Sequence, residues 1–147
     1  MMKQFFSPDK NHGIAIHYQK VNWRLFRLLD PYTIQTKFTG PQLTANHKGD
    51  VNRVIVLDAD GKLTIPKRFE WNGPTDFPNF DYMMRGSCVH DALYEVFDTK
   101  HHHEKRLELK PMADKLLYDL IREDGASVPV ASAVYWVVSN FSKVTEE

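Results

Sequence analysis

The spacing of apolar residues changes once along this chain of 147 residues, from every second position to every third or fourth, and the change falls within one loop. Such a chain builds a sheet from its first half and packs helices from its second. In the first half, Gly13 to Tyr18 sets large apolar groups two apart, Val21 to Leu29 carries Trp23, Leu25 and Phe26, and Thr33 to Phe38 turns Ile34, Thr36 and Phe38 to one side. Val51 to Leu57 and Lys62 to Ile65 flank Asp58-Ala59-Asp60-Gly61, a hairpin signal in which glycine supplies the positive φ of a tight reversal. Antiparallel pairing is expected. Gly40 to Asp50 reads as an exposed loop. Phe69 to Asp81 mixes glycine and prolines with aromatics, the composition of an ordered loop that either shapes a site or plugs a sheet end.

The second half is helical. Arg85 to Phe97 carries a stripe of Val89, Ala92, Leu93, Val96 and Phe97. Pro111 suits the first position of a second helix, with Ala113, Leu116, Leu117, Leu120 and Ile121 as its stripe and Gly125 beyond its end. Val130 to Phe141 forms a third, with Val134, Trp136, Val137, Val138 and Phe141 as core candidates. The expectation is one α+β domain over 1–147, strand-rich over about 1–80 and helical over about 81–147, with an N-terminal antiparallel sheet followed by a three-helix unit.

Composition narrows the function. Lys and Arg total 19, as do Asp and Glu, so the chain lacks the positive excess of proteins that hold nucleic acid by its phosphates; no nucleic-acid partner is expected. The one cysteine, Cys88, permits no intrachain disulfide and no CxxC zinc site, and its place beside an apolar stripe reads as a buried small hydrophobe. MMKQFFSPDK shows no secretory signal, and Val128 to Phe141 falls short of a bilayer span, so a soluble, non-spanning protein is expected.

Superposing the two helical stripes, Val89 on Ala113, puts His90 and Asp114 on equivalent margins. In an antiparallel helix pair these margins face one another, and Tyr94, four residues after His90, extends the same margin. A carboxylate that fixes a histidine tautomer prepares it as a general base; the same trio also serves as a satisfied polar seam between helices. Asp91 points off the stripe, where it is either a solvated carboxylate or one ligand of a hard cation. Asp119 points to solvent. Lys100 to Arg106, with His101, His102 and His103, reads as an exposed connection or a weak metal or anion site.

Cys88-Val89-His90-Asp91-Ala92-Leu93-Tyr94 resembles the CxxHDxxY helix of phospholipase A2, with Ala113-Asp114 placed like that family's second catalytic aspartate. The resemblance implies a phospholipase A2-like helical hairpin in which His90 activates water for ester attack, Asp114 orients His90 and Tyr94 bonds Asp114. It also implies that Asp91 binds calcium with a preceding loop, for which Trp71, Asn72 and Asp76 are the candidates. The chain departs from the family in lacking the glycine-rich calcium loop and the disulfides.

Over most of its length, from Trp23-Arg24-Leu25 through Leu63 to Asp76, His90 to Tyr94, Ala113-Asp114 and Tyr135-Trp136, the chain is similar to an uncharacterised family of tailed bacteriophages and prophages. That likeness implies a non-enzymatic virion, assembly or host-interaction protein, present in the virion or in the host cytoplasm during infection, with a phage or host protein as partner. The alternative is a calcium-dependent hydrolase of lipid esters, with phospholipid as substrate and a His90-Asp114 dyad.

Overall fold

A computed structural model describes the backbone of residues 4–7, 15–73, 77, 78, 80–98 and 103–141, with side chains for the same residues except 4–7, 103–107 and 141. Among the described residues eight strands come first: β1 (Gln4–Ser7), β2 (Ile16–Lys20), β3 (Phe26–Leu28), β4 (Tyr32–Gln35), β5 (Leu43–Asn46), β6 (Val54–Leu57), β7 (Lys62–Ile65) and β8 (Glu70–Trp71). Three helices follow, α1 (Asp81–Phe97), α2 (His103–Glu123) and α3 (Val128–Phe141). The fold is α+β, as expected. The strands form two sheets and not one, in the orders β1-β2-β3-β8 and β4-β7-β6-β5, with every pair antiparallel.

The Asp58–Gly61 hairpin forms as read. Val56 pairs with Thr64 and Leu57 with Leu63. Gly61 has φ 90, and a Cβ there would lie 2.6 Å from the carbonyl oxygens of Thr36 and Phe38, so only glycine fits. Asp58 closes the turn by accepting the amides of Asp60 and Lys62 on Oδ1, both at 2.9 Å.

The exposed loop expected over Gly40 to Asp50 contains a strand. In β5 and the 3-10 turn after it (His47–Gly49), Leu43, Ala45 and His47 are buried and the residues between them exposed, an alternation that the surrounding Gly, Pro, Asn and Lys obscure. β3 is shorter than Val21 to Leu29 because the chain turns back through Asn22 and Leu25, leaving Trp23 73% exposed. β8 lies inside what reads as a loop, where Trp71 pairs with Phe26.

α1 lies at the centre. Its apolar side meets the strands through Cys88, Val89, Ala92, Leu93 and Val96, in one core with Leu28, Ile55, Leu57, Leu63, Ile65, Phe69 and Trp71. Its other side packs on α2, and α3 covers α2 through Ala131 and Val134, which with Ala126 of the preceding turn form a second cluster with Met83, Leu117 and Ile121.

α2 begins at His103, eight residues before Pro111, which is inside the helix and exposed. The proline is thus carried on the exposed side of the helix and does not start it. The connection expected over Lys100 to Arg106 is thus helical from His103; His101 and His102 lie outside the described residues, as does the side chain of His103. In α3, Val134 is buried, but Trp136 is 58% exposed and Val137 and Val138 are half-buried, so this helix contributes less to the core than its composition suggests.

Candidate functional site

α1 and α2 run side by side, and the equivalence of their polar margins is realised. His90 Nε2 lies 2.7 Å from Asp114 Oδ1, and the Tyr94 hydroxyl donates to the same oxygen at 2.5 Å. The His90 and Tyr94 rings pack at 4.2 Å between centroids. His90 is 6% exposed and Asp114 1%. Lys110, which the helical stripes do not single out, joins the cluster and donates to Asp114 Oδ2 at 2.7 Å and to the Val138 carbonyl at 3.0 Å. Its signal was the i, i+4 spacing to Asp114 on a helix.

Asp114 is well supplied. Burial alone would raise its pKa, but hydrogen bonds from His90, Lys110 and Tyr94 hold it below the usual carboxylate range. Asp114 Oδ1 accepts from His90 Nε2, and in the tautomer protonated on Nε2 the ring's acceptor is Nδ1. Among the described residues none donates to that Nδ1.

Next to this cluster is an open cleft of about 490 Å³. Asp91, Tyr94 and Glu95 line it from α1, Trp71 and Asn72 from β8 and its exit, and His47 and Lys48 from the 3-10 turn. His90 does not line it. The structure therefore brings Asp91, Trp71 and Asn72 to one cleft, while Asp76 lies outside the described residues. The Trp71 ring itself is in the core, where its indole N–H donates to Ser87 Oγ at 3.1 Å.

His47, missed as part of a loop, organises the cleft wall. Its Nε2 accepts the Glu70 amide at 3.0 Å, so its proton is on Nδ1, which meets Glu95 Oε1 at 2.9 Å. The ring packs at a tilt of 41° against Phe69, with 4.4 Å between centroids. Lys48 follows in the left-handed region at φ 53 and reaches Glu70 Oε1 at 2.7 Å, and Arg27 bonds the other oxygen at 2.9 Å. Burial would raise Glu70, but these cations hold its pKa below the usual range.

Asp91 differs from its neighbours and from the solvated carboxylate of the simplest reading. It is half-buried, and burial, then the charge of Glu95 one turn on, push its pKa up to about 7. Asp91 thus offers one carboxylate, while Glu95 bonds His47 and Glu70 bonds its cations. Among the described residues no group of three or more His, Cys, Asp or Glu side chains is placed to hold a metal ion.

Cys88 is buried and burial raises its thiol pKa well above normal, in keeping with a packing role. Asp119 is exposed and bonds Lys115 at 2.6 Å. No helix among the described residues is long and apolar enough to cross a membrane.

Comparisons with protein families, with curated proteins and with solved structures gave no match to this chain.

Proposed function

We propose that the protein is a hydrolase of acyl esters that uses His90 as general base and Asp114 as its orienting carboxylate. The observation that carries this reading is the 2.7 Å contact of His90 Nε2 with Asp114 Oδ1, which commits one ring nitrogen to the carboxylate and presents the other as a base. In the reaction, Nδ1 takes a proton from water as the water oxygen bonds to the ester carbonyl carbon. The tetrahedral species then expels the alkoxide, which recovers the proton from Nδ1. Tyr94 and Lys110 hold Asp114 throughout. The cleft at Asp91 and Tyr94 is where substrate approaches, and the resemblance to phospholipase A2 makes phospholipid the first class to test.

A second reading, a non-enzymatic phage or host-interaction protein in which the trio is a polar seam, draws on another observation. Asp114 already receives three donors, and His90 is 6% exposed and does not line the cleft. The purified full chain is to be assayed on mixed phospholipid vesicles and on soluble short-chain esters, with calcium and with a chelator. Ester cleavage lost in His90→Gln supports the hydrolase, and a calcium requirement assigns Asp91 its metal. No cleavage by the wild type, or full activity in His90→Gln, establishes the seam.

A further inference from the structure

Among the described residues, those other than glycine that take a left-handed backbone are both cations, Lys48 at φ 53 and Arg68 at φ 71. A residue with a Cβ holds that conformation at a cost that glycine escapes, and such positions cluster at functional sites. Both belong to one group of charges. Lys48 Nζ donates to Glu70 Oε1 at 2.7 Å, Arg27 reaches Oε2 through Nε at 2.9 Å and Nη2 at 2.8 Å, and Arg53 Nη1 stands 3.9 Å from Oε1. Arg53 also donates to the Arg68 carbonyl at 3.1 Å and to Asp50 Oδ2 at 2.9 Å, and the Arg68 charge acts on that same Asp50. Four cations thus share two carboxylates, an excess of two positive charges in a chain whose formal net charge is zero. The Glu70 side chain is 11% exposed beneath Arg27 at 32% and Lys48 at 50%. Donors are left over. Lys48 spends one of its three ammonium protons on Glu70, and among the described residues no acceptor takes the Arg68 guanidinium, which is exposed.

We propose that Lys48 and Arg68, backed by Arg53 and Arg27, bind a single phosphate group at the rim of the cleft that Lys48 lines, with Glu70 and Asp50 holding the cations in place. A guanidinium presents a planar pair of donors and an ammonium a point charge, a combination suited to phosphate oxygens, and the excess of two charges matches one such group. Asp91 and Glu95 line the same cleft from α1 and repel an anion, which places the phosphate on the Arg53 and Arg68 side of Lys48. Nucleic acid fits less well, since holding a run of phosphates takes a positive excess over the whole surface and this chain has none. The site stands on charge and backbone and does not depend on ester hydrolysis; where the hydrolase reading also holds, the phosphate is that of the substrate headgroup.

Titration of the full chain with inorganic phosphate at low salt, followed by NMR of the backbone amides, tests this without any turnover. Saturable shifts centred on Lys48 and Arg68 are expected with a Kd of about 1 mM, and none with chloride at equal ionic strength. Lys48→Gln and Arg68→Gly should each weaken binding about tenfold, the share of one charge-assisted hydrogen bond. Glycine suits φ 71, so Arg68→Gly should keep or raise the denaturant midpoint while it loses phosphate, which a purely structural arginine would not do. If it fails to fold, Arg68→Gln replaces it. Lys62→Gln, at an exposed position on β7, should bind as the wild type does. Glycerophosphocholine, and vesicles of phosphatidylcholine with phosphatidylglycerol, separate the sources. Binding to them that is lost in the same variants assigns a lipid headgroup, and saturable phosphate without them assigns a free phosphate. No saturation at about ten times the expected Kd, or equal loss in Lys62→Gln, overturns the proposal. So does phosphate binding untouched by both cluster substitutions, or an oligonucleotide bound through them more than about tenfold tighter than phosphate.

Discussion

Gly86 of α1 and Ile121 of α2 meet so closely that a Cβ on Gly86 would lie 2.8 Å from Ile121 Cγ2 and 3.0 Å from Leu117 Cδ1. One turn further along α1 is His90, and seven residues before Ile121 is Asp114. The close approach at the glycine therefore sets the helix spacing at which the imidazole and the carboxylate touch.

Gly86→Ala should destabilise the protein although alanine favours the helix by about 1 kcal/mol. Ile121 and Leu117 are buried and must shift, which costs about 1–3 kcal/mol. A net loss of about 1 kcal/mol in denaturant unfolding is expected. An unchanged or raised midpoint would show that the helices separate freely.

Asp114→Asn keeps the shape and removes the charge that Lys110 and His90 share. A loss of about 2–3 kcal/mol is expected, since Lys110 keeps some access to water. The pH dependence has a defined sign. Asp114 titrates lower in the folded state than unfolded, so its contribution is complete above the ordinary carboxylate value and is lost as pH falls through the lowered one. Stability measured between pH 2 and 7, over about that interval, should fall more steeply in acid for the wild type than for the variant.

Asp91 has the opposite sign. Its folded pKa is raised to about 7, so the fold favours the protonated acid, and stability is lost as pH rises from the ordinary carboxylate value through 7. Asp91→Asn should be neutral near pH 4 and stabilising by about 1–2 kcal/mol at pH 8, after allowance for its partial exposure. A destabilised variant at pH 8 would mean that the charged form has a partner in solution.

His47→Ala removes the acceptor of the Glu70 amide, the donor to Glu95 and the ring packed against Phe69. About 2–3 kcal/mol should be lost, and amide exchange at Glu70 and Trp71 should quicken more than that of β6 and β7. Uniform acceleration across both sheets would show that His47 has no local role.

Arg85 is 2% exposed and grips Asp124 with two hydrogen bonds, Nε to Oδ2 at 3.0 Å and Nη2 to Oδ1 at 2.9 Å, with Tyr32 on Nη1. Arg85→Met leaves a buried carboxylate unpaired and should cost about 3–5 kcal/mol, of which the double variant with Asp124→Leu should recover the larger part. Failure of thermal unfolding to show that recovery would assign the loss to packing of the arginine stem.

Most of the helical half was legible because a surface helix repeats its apolar residues with its own period, and His90, Asp114 and Tyr94 follow from that period alone. Where strands are short the signal fails. β5 has four residues and β8 two, and no alternation that brief stands out among Gly, Pro and Asn. His47 was lost with β5. Lys110 escaped because Pro111 marked a helix start, and the exposed face that lets α2 run through the proline is a property of the packed structure.

Local pattern was enough for the α+β order, the Asp58–Gly61 hairpin, the apolar stripe of α1 and the margins on which His90 and Asp114 lie, since each is read from residues within a few turns of one another. Packing between distant segments settles that there are two sheets, that His47 joins β8 to α1, and that Asp91 faces a cleft while Trp136 is exposed. Those outcomes depend on which surfaces meet across 20 or more residues, as in the 23 between His47 and Glu70. Burial and charge at such contacts are set by the partner, which no local pattern contains.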